Sequence, residues 1–228
     1  MKTLNVSFDG VLAALRSQPP RARGAGRTLM FIAGRRGEGV TAAARIAAEA
    51  AGPGSVYALD LDPYRNALAR RFAERGSLGP KLDGRFGGAS FYTLVDRQGR
   101  LLPEREPLFG FHRVGGGALF VGAMDMRLAP PLARIAVADT PDYWNASRLY
   151  GDTVIVDAPA LDHSRVGLRI ARHMDGVVLV VGDGAGAAPA AIDAKNAIIA
   201  AGGNLIGLIY ANASAPVMAM ERVLRQAS

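Results

Sequence analysis

The chain has 228 residues, of which 50% are hydrophobic, and a formal net charge of +7. This length favours one α/β domain over two, and a mean hydropathy of +0.13 excludes a disordered chain. No apolar run reaches the roughly 18 residues that span a membrane. The N-terminal MKTLNVSFDG lacks signal-peptide features, and cysteine is absent, so a cytoplasmic location without disulfides or thiolate sites is expected.

The positive charge comes almost entirely from arginine, because lysine occurs only at Lys2, Lys81 and Lys195 and the other 24 of the 27 basic residues are arginines. A pI near 10.2 raises the alternative of a nucleic-acid or anionic-membrane partner. The arginines are scattered rather than clustered along one segment. Solvated surface arginines are therefore the preferred interpretation, and a nucleic-acid partner is not expected.

Apolar runs alternate with Ala-rich segments along the chain, the pattern typical of a parallel sheet covered by helices. Strands are predicted at residues 28–33, 55–60, 118–121, 153–157, 176–181 and 205–210. Helices are predicted at residues 41–51, 64–74, 187–201 and 217–226. The predicted fold is a single α/β domain over residues 28–228, with a mostly parallel central sheet flanked by helices.

Two regions depart from this alternation. Residues 1–27 contain a short amphipathic segment at 8–16, followed by the linker-like sequence SQPPRARGAGR. Residues 79–117 are rich in Gly and Arg and are predicted to form an insertion. Within it, the apolar residues 91–95, the sequence RQGR and Leu101-Leu102 predict a β-hairpin.

A glycine-rich loop joins the first predicted strand to the next helix. In such a loop, backbone N–H groups turn inward and the helix N-terminus adds its positive dipole end, so that an anion is favoured. Thr41 is placed to offer a hydroxyl to Mg²⁺. The alternative is a strand-to-helix turn that binds nothing. The candidate phosphate-binding residues are Gly34, Arg35, Arg36, Gly37, Glu38, Gly39, Val40 and Thr41.

Aspartates follow two of the predicted strands. Asp60 ends the second strand, Asp62 lies two residues later, and Asp157 ends the strand at 153–157. In a parallel sheet the carboxyl ends of the strands share the edge that carries the glycine loop. Carboxylates there bind Mg²⁺ or orient a nucleophile, so Asp60, Asp62 and Asp157 are the candidate catalytic residues and Thr41, Asp60 and Asp157 the candidate metal ligands. The alternative is that the aspartates cap turns before prolines.

The order of RGEGVT, ALDLD and IVDAP resembles the P-loop NTPases of the ParA/MinD type, which have a deviant Walker A loop. It is most similar to the cytoplasmic kinase domain of bacterial tyrosine kinases (BY-kinases), which work with membrane-embedded polysaccharide chain-length proteins. FDGVLAALRS, DGVVLVVGDGAG and AAGGNLIGLIYAN extend the similarity over nearly the whole chain. The resemblance implies a P-loop fold, ATP or ADP with Mg²⁺ as cofactor, and a co-polymerase partner in exopolysaccharide biosynthesis.

Several motif positions differ from the family pattern. The loop lysine that contacts the transferred phosphate is replaced by Val40. The family's adenine-contacting Asn falls on Ala211, which leaves its neighbours Tyr210 and Asn212 as candidate nucleotide contacts. Only Arg16 remains of the N-terminal assembly motif, and the C-terminal MAMERVLRQAS has no tyrosine cluster for autophosphorylation. Losing the lysine charge typically costs orders of magnitude in rate.

Three functional hypotheses follow. The first is a degenerate BY-kinase-like protein with weak or no ATP hydrolysis. It would regulate exopolysaccharide polymerisation or export through contact with a membrane co-polymerase, as a monomer or as a homo-oligomer. The second is an active ATPase or tyrosine autokinase in which Arg36 or a partner's basic residue replaces the lysine. The third is a ParA/MinD-like binding protein whose arginines hold DNA or an anionic membrane and which performs no chemistry. The missing lysine favours the first.

Overall fold

A computed structural model describes residues 8–17 and 25–211 of the chain. Its strands are β1 (Arg27–Ala33), β2 (Val56–Asp60), β3 (Leu78–Asp83), β4 (Tyr92–Val95), β5 (Leu101–Leu102), β6 (Phe109–Val114), β7 (Leu119–Met124), β8 (Arg134–Val137), β9 (Thr153–Asp157), β10 (Gly176–Val181) and β11 (Leu205–Tyr210). Eight of them form a central sheet in the order β11-β10-β1-β9-β2-β7-β6-β3, and β5-β4-β8 form a second sheet. The strands from β11 to β7 pair in parallel, whereas β6 and β3 are antiparallel additions.

Helices cover both faces of the central sheet. They are α1 (Phe8–Ser17), α2 (Val40–Ala50), α3 (Ala67–Ala73), α4 (Asp142–Tyr150), α5 (Val166–Ile170) and α6 (Ala187–Ala200), with short 3-10 helices at Met126–Leu128 and Ala171–His173. Buried residues of α1, α2 and α3 pack in one core, and those of α4, α5, α6 and the small sheet pack in the other. The prediction of a single α/β domain with a mostly parallel sheet between helices is confirmed.

Continuous apolar runs form the strands at the centre of the sheet. All six residues of β10 are buried, because helices cover both of its faces. On the α2 face, the small residues Ala43, Ala44, Ala47 and Ala48 are almost fully buried. Their short side chains allow the α2 backbone to lie close to the sheet, and this position determines where the glycine loop ends.

The helix predicted at 64–74 is shorter in the structure and begins at Ala67. Residues 62–66 form a turn instead, in which Asn66 adopts a left-handed conformation with φ of 46°. The Asn66 side chain donates to the carbonyl of Met124 and accepts from its N–H, which connects this turn to the end of β7. The predicted helix at 217–226 lies outside the described residues.

The segment 79–117 continues the central sheet. The predicted hairpin is present as β4 and β5, which pair antiparallel through Val95 and Leu101. Strands β3 and β6 were not predicted, and β6 pairs with β7 inside the main sheet. At the other end of the chain, Val11, Leu12 and Leu15 of α1 are buried in the α2-side core. Within the described part of the chain, no helix combines the length and hydrophobicity needed to cross a bilayer.

A buried ion pair joins α4 to the amino ends of two central strands. Arg148 Nε donates to Asp175 Oδ2 at 2.8 Å, and both side chains are at most 3% exposed. Thr28 completes the network, since its N–H and hydroxyl both donate to the same carboxylate oxygen while its hydroxyl accepts from Arg148. Removing one member of such a pair leaves an uncompensated charge in the protein interior.

We expect Arg148→Met to lower the free energy of unfolding by about 3–5 kcal/mol, because Asp175 then loses its buried counter-charge. Urea denaturation of the full chain measures this difference. Arg71→Met is the matched control, since Arg71 pairs with Glu74 at the surface and both side chains are more than half exposed. An Arg148→Met stability equal to that of the control variant would contradict the assignment of this network as a stabilising element.

Candidate functional site

The candidate site lies at the carboxyl edge of the parallel strands. The chain leaves β1 at Ala33, passes through the loop from Gly34 to Gly39 and enters α2 at Val40. Strand β9 pairs in parallel with both β1 and β2, and its register places Asp157 directly beside Asp60. The loop, the start of α2 and the two aspartates therefore meet at one edge, as the motif order predicted.

The loop presents a run of backbone N–H groups without partners. Among the described residues, none of the N–H groups from Gly37 to Ala42 donates a hydrogen bond. Gly37 and Gly39 have φ of 85° and 90°, a left-handed conformation that glycine adopts without strain. At Gly39 a Cβ atom would also lie 3.3 Å from the Cβ of Ala211. Successive free N–H groups at a helix N-terminus form an anion-binding concavity.

Two acidic side chains hold the first half of the loop. Glu38 is buried, and its Oε2 accepts the N–H of Arg35 at 3.1 Å. Both carboxylate oxygens of Asp162 accept the N–H of Arg36, at 3.1 and 3.2 Å. The chain at Asp162 is itself fixed, because its N–H donates to the carbonyl of Gly34. These bonds leave the second half of the loop as the part that can receive an anion.

Two neighbouring carboxylates are buried at the same edge, and no cationic side chain of the described part of the chain pairs with either of them. Burial raises the pKa of Asp60 to about 6, although N–H groups of Asp62 and Leu68 donate to it and oppose the shift. Burial, reinforced by the charge of Asp60, raises the pKa of Asp157 well above its usual range, and the Thr41 hydroxyl opposes that shift. Asp157 Oδ2 is buried and has no hydrogen-bond partner in residues 8–17 and 25–211. A buried acceptor without a partner marks this edge as a binding position for a donor or a cation.

The loop and the aspartates line an open groove of about 680 Å³. Its walls come from the loop, the first turns of α2, the α3 helix and the segment after β9. Its positively charged lining residues are Arg35, Arg36, Arg45, Arg65, Arg71 and Arg75. A groove of this size with a basic rim and N–H groups at its base suits a phosphorylated ligand.

The two loop arginines are directed away from the centre of the loop. The Arg35 guanidinium donates to the carbonyl of Ala185 at 2.5 Å, beside the start of α6. The Arg36 side chain is 65% exposed, and its Nε lies 3.9 Å from Asp162. Val40 lines the groove at the position of the missing lysine. Neither Arg35 nor Arg36 therefore takes the place of that lysine.

The two other residues predicted to contact a nucleotide, Tyr210 and Asn212, are not placed at the groove by the structure. Tyr210 ends β11 partly exposed at the border of the sheet, and it is not among the residues that line the groove. Asn212 lies outside the described residues. Ala211 is buried against Gly39.

Several residues that line the groove or support the loop were not predicted from the sequence. Asp162 supports the loop, and the His163 Nε2 lies 3.9 Å from Asp62 Oδ2. Arg45, Arg71 and Arg75 reach the groove from α2 and α3. None of the arginines belongs to a short motif. The only sequence signal for Asp162 and His163 was their position directly after the strand-end motif IVDAPA.

The residues at this edge fit Mg²⁺ only when phosphate supplies further ligands. Among the described residues, no group of three or more His, Asp or Glu side chains is arranged to hold a metal ion by itself. Mg²⁺ is commonly held by one or two carboxylates together with substrate phosphates and water. The partnerless oxygen of Asp157, with Asp60 and the Thr41 hydroxyl beside it, matches that mode of binding.

We expect Asp157→Asn to stabilise the protein at neutral and alkaline pH. Because the folded state holds the Asp157 proton more tightly than the unfolded chain does, ionisation of this group costs the wild type stability as the pH rises above about 4. The variant avoids this cost, so its free energy of unfolding should exceed that of the wild type by about 1–3 kcal/mol at about pH 8 and match it near about pH 4.

Asp175→Asn is the matched control, because Asp175 is equally buried but is paired with Arg148. Its substitution should destabilise the protein, so the two variants are expected to shift the urea midpoint in opposite directions at about pH 8. If Asp157→Asn destabilises the protein as Asp175→Asn does, Asp157 has a structural role and the edge is not a strained binding position.

No protein-family model and no curated protein matches the chain. Solved structures do match it. The kinase domain of the Escherichia coli tyrosine kinase ETK is 18% identical, with a TM-score of 0.55 over 94% of this chain and 84% of that one. The MinD cell division protein of Aquifex aeolicus is 14% identical, with a TM-score of 0.53 over 86% of this chain and 73% of that one.

The septum site-determining protein MinD of Pyrococcus horikoshii OT3, solved with Mg-ADP, is 16% identical, with a TM-score of 0.53 over 80% of this chain and 69% of that one. Identities this low establish the fold and not the activity. The chain thus has the P-loop fold that is common to BY-kinase domains and MinD/ParA-type ATPases, as the motif order predicted.

Proposed function

We propose that this protein is a degenerate BY-kinase-like module that binds ATP or ADP with Mg²⁺ weakly and transfers phosphate slowly or not at all. One observation carries the proposal: within the described residues the N–H groups from Gly37 to Ala42 have no acceptor and are available to an anion, while Val40 stands where a cationic side chain would contact the transferred phosphate. Backbone donors and the helix N-terminus favour a bound phosphate. They do not replace the point charge that stabilises the transition state.

The neighbouring arginines support this interpretation. The Arg35 guanidinium donates to the carbonyl of Ala185, and the exposed Arg36 side chain lies nearest Asp162, with its Nε 3.9 Å from that carboxylate. Repositioning either one costs those contacts, and a planar guanidinium does not follow the narrow path of a lysine. The second hypothesis, an active ATPase or autokinase, rests on the fact that both arginines still line the groove.

The biological role that fits such a module is regulation by contact. We place it on the cytoplasmic side of a membrane-embedded polysaccharide co-polymerase, where it would control polymerisation or export of an exopolysaccharide. The support is the shared fold with a tyrosine-kinase domain, together with the motif resemblance over nearly the whole chain. The MinD complex with Mg-ADP supports the choice of cofactor for this fold.

Calorimetric titration of ATP·Mg²⁺ and ADP into wild type and Val40→Lys tests the nucleotide site. We expect Val40→Lys to gain about tenfold or more in affinity, because the new ammonium group faces phosphate in a partly desolvated groove. Val40→Met is the control, since it adds length without charge. Tight wild-type binding that Val40→Lys does not improve would show that another group has replaced the lysine.

Turnover assays and complementation separate contact from chemistry. If the protein acts by contact, Asp60→Ala should support polymer production at the wild-type level in a strain that lacks the native chain. Purified wild type should show ATP hydrolysis no faster than Asp60→Ala. Robust turnover that disappears in Asp60→Ala, accompanied by loss of polymer, would establish the active-enzyme hypothesis instead.

A further inference from the structure

The small sheet β5-β4-β8 exposes apolar and basic side chains on its outer face and rim. Leu101 is 73% exposed and Leu132 is 68% exposed. Leu101 pairs with Val95, which pairs with Arg134, so these three side chains form one row on the same face. Leu132 lies two residues before Arg134, and Arg97 lies in the turn between β4 and β5. We call Leu101, Leu132, Arg97 and Arg134 the Leu-Arg surface.

The opposite face of this sheet is fixed in the protein core. Tyr92, Leu94 and Val137 are buried there, and Leu102 and Ile135 pack against the same cluster. Glu104 receives hydrogen bonds from the Tyr92 hydroxyl and from the N–H of Leu108, which holds the segment after β5 in place. The Leu-Arg surface therefore stands on a rigid platform.

Leu132 adopts a backbone conformation that does not suit leucine. Its φ is 64°, in the left-handed region where Gly, Asn and Asp occur routinely and branched apolar residues rarely do. Its side chain is exposed, so packing within the described residues does not offset the backbone strain. A leucine at this position is best explained by a contact outside the chain.

Within the described residues, the arginines of the Leu-Arg surface lack the ion pairs that other surface arginines form. Arg85, Arg100 and Arg127 form ion pairs with Asp83, Asp96 and Asp125. Arg97 and Arg134 are exposed and form no ion pair with the part of the chain that the structure describes. Two uncompensated positive charges thus flank the two exposed leucines.

We propose that the Leu-Arg surface binds directly to an anionic lipid bilayer, with Leu101 and Leu132 entering the interface and Arg97 and Arg134 contacting lipid phosphates. Apolar side chains beside basic ones are the combination that peripheral membrane binding uses. A bilayer can be bound through a few inserted residues, whereas a stable protein interface needs about 800 Å² on each partner, so these four residues favour the bilayer. The net charge of +7 adds long-range attraction to an anionic surface.

This lipid contact is independent of the proposed nucleotide site, because none of its four residues lines the groove. It differs from docking through a membrane protein, since lipid alone is sufficient. The protein can bind lipid even if the titrations show no nucleotide binding. It can equally bind nucleotide even if the flotation assay shows no lipid binding.

Vesicle flotation of the full chain tests the proposal, with phosphatidylcholine vesicles compared with equal parts of phosphatidylcholine and phosphatidylserine. Wild type should bind the anionic vesicles only, and less tightly as salt is raised. Leu132→Asn and Leu101→Thr should each weaken binding about tenfold or more. Arg97→Gln and Arg134→Gln should each weaken it about fivefold. Asn accepts the left-handed backbone and Thr suits a strand, so both leucine variants should fold.

Leu149→Gln and Arg169→Gln are the matched controls, since Leu149 is exposed on α4 and Arg169 is exposed on α5, and neither belongs to the small sheet. They should bind anionic vesicles as the wild type does. The proposal is overturned by any of three results: no wild-type binding, equal binding by the leucine variants and wild type, or equal loss in Leu149→Gln. Sedimentation equilibrium can give a fourth result that overturns the proposal. If the wild type is a dimer and Leu132→Asn dissociates it, this surface is an interface between two copies of the chain.

Discussion

The parallel pairing of β9 with both β1 and β2 determines the geometry of the whole candidate site. Parallel strands end at the same edge of a sheet. Strand pairing alone therefore brings together the loop after β1 and the aspartates that end β2 and β9. The alanine-rich face of α2 then brings the helix N-terminus close to the sheet. If β9 slipped by one residue, Asp157 would move to the other face of the sheet and Asp60 would lose its neighbour.

This arrangement concentrates opposing partial charges at one edge. Asp60 and Asp157 are two buried carboxylates whose pKa values are raised, and the loop beside them carries free N–H donors. A phosphate would satisfy the donors and a divalent cation would satisfy the carboxylates, so a ligand with both resolves two unfavourable features together. The edge is thus destabilising in the free protein, which is typical of binding sites rather than of structural ion pairs. The Arg148–Asp175 pair at the opposite edge shows the contrast, since its charges balance within the chain.

Val40 places an apolar side chain in the loop at the position where the loops that it resembles have a lysine. Glu38 and Asp162 still hold the loop, and its glycines still adopt left-handed backbone angles. The proposed function rests on this combination, because backbone donors favour a bound anion but do not provide the point charge that fast phosphoryl transfer uses. The second sheet, β5-β4-β8, provides a separate surface with its own exposed leucines and arginines, and none of these four residues lines the groove.

The parts of this fold that depend on local residue pattern could be predicted from the amino-acid sequence alone. The apolar runs of β1, β9, β10 and β11 and the turn residues around them predict buried parallel strands, and the motif order predicts that Gly39, Asp60 and Asp157 share an edge, because strand direction follows from the alternation with helices. Long-range contacts complete the site with residues from other segments that belong to no short motif. Asp162 is held by hydrogen bonds to the loop, and Arg75 pairs with Glu49 of α2. Strands β3 and β6 lack a strong alternating pattern, and their positions follow from pairing of β6 with β7 and of β3 with β6. The shortened α3 has the same cause, since the hydrogen bonds between Asn66 and Met124 override the local helix preference.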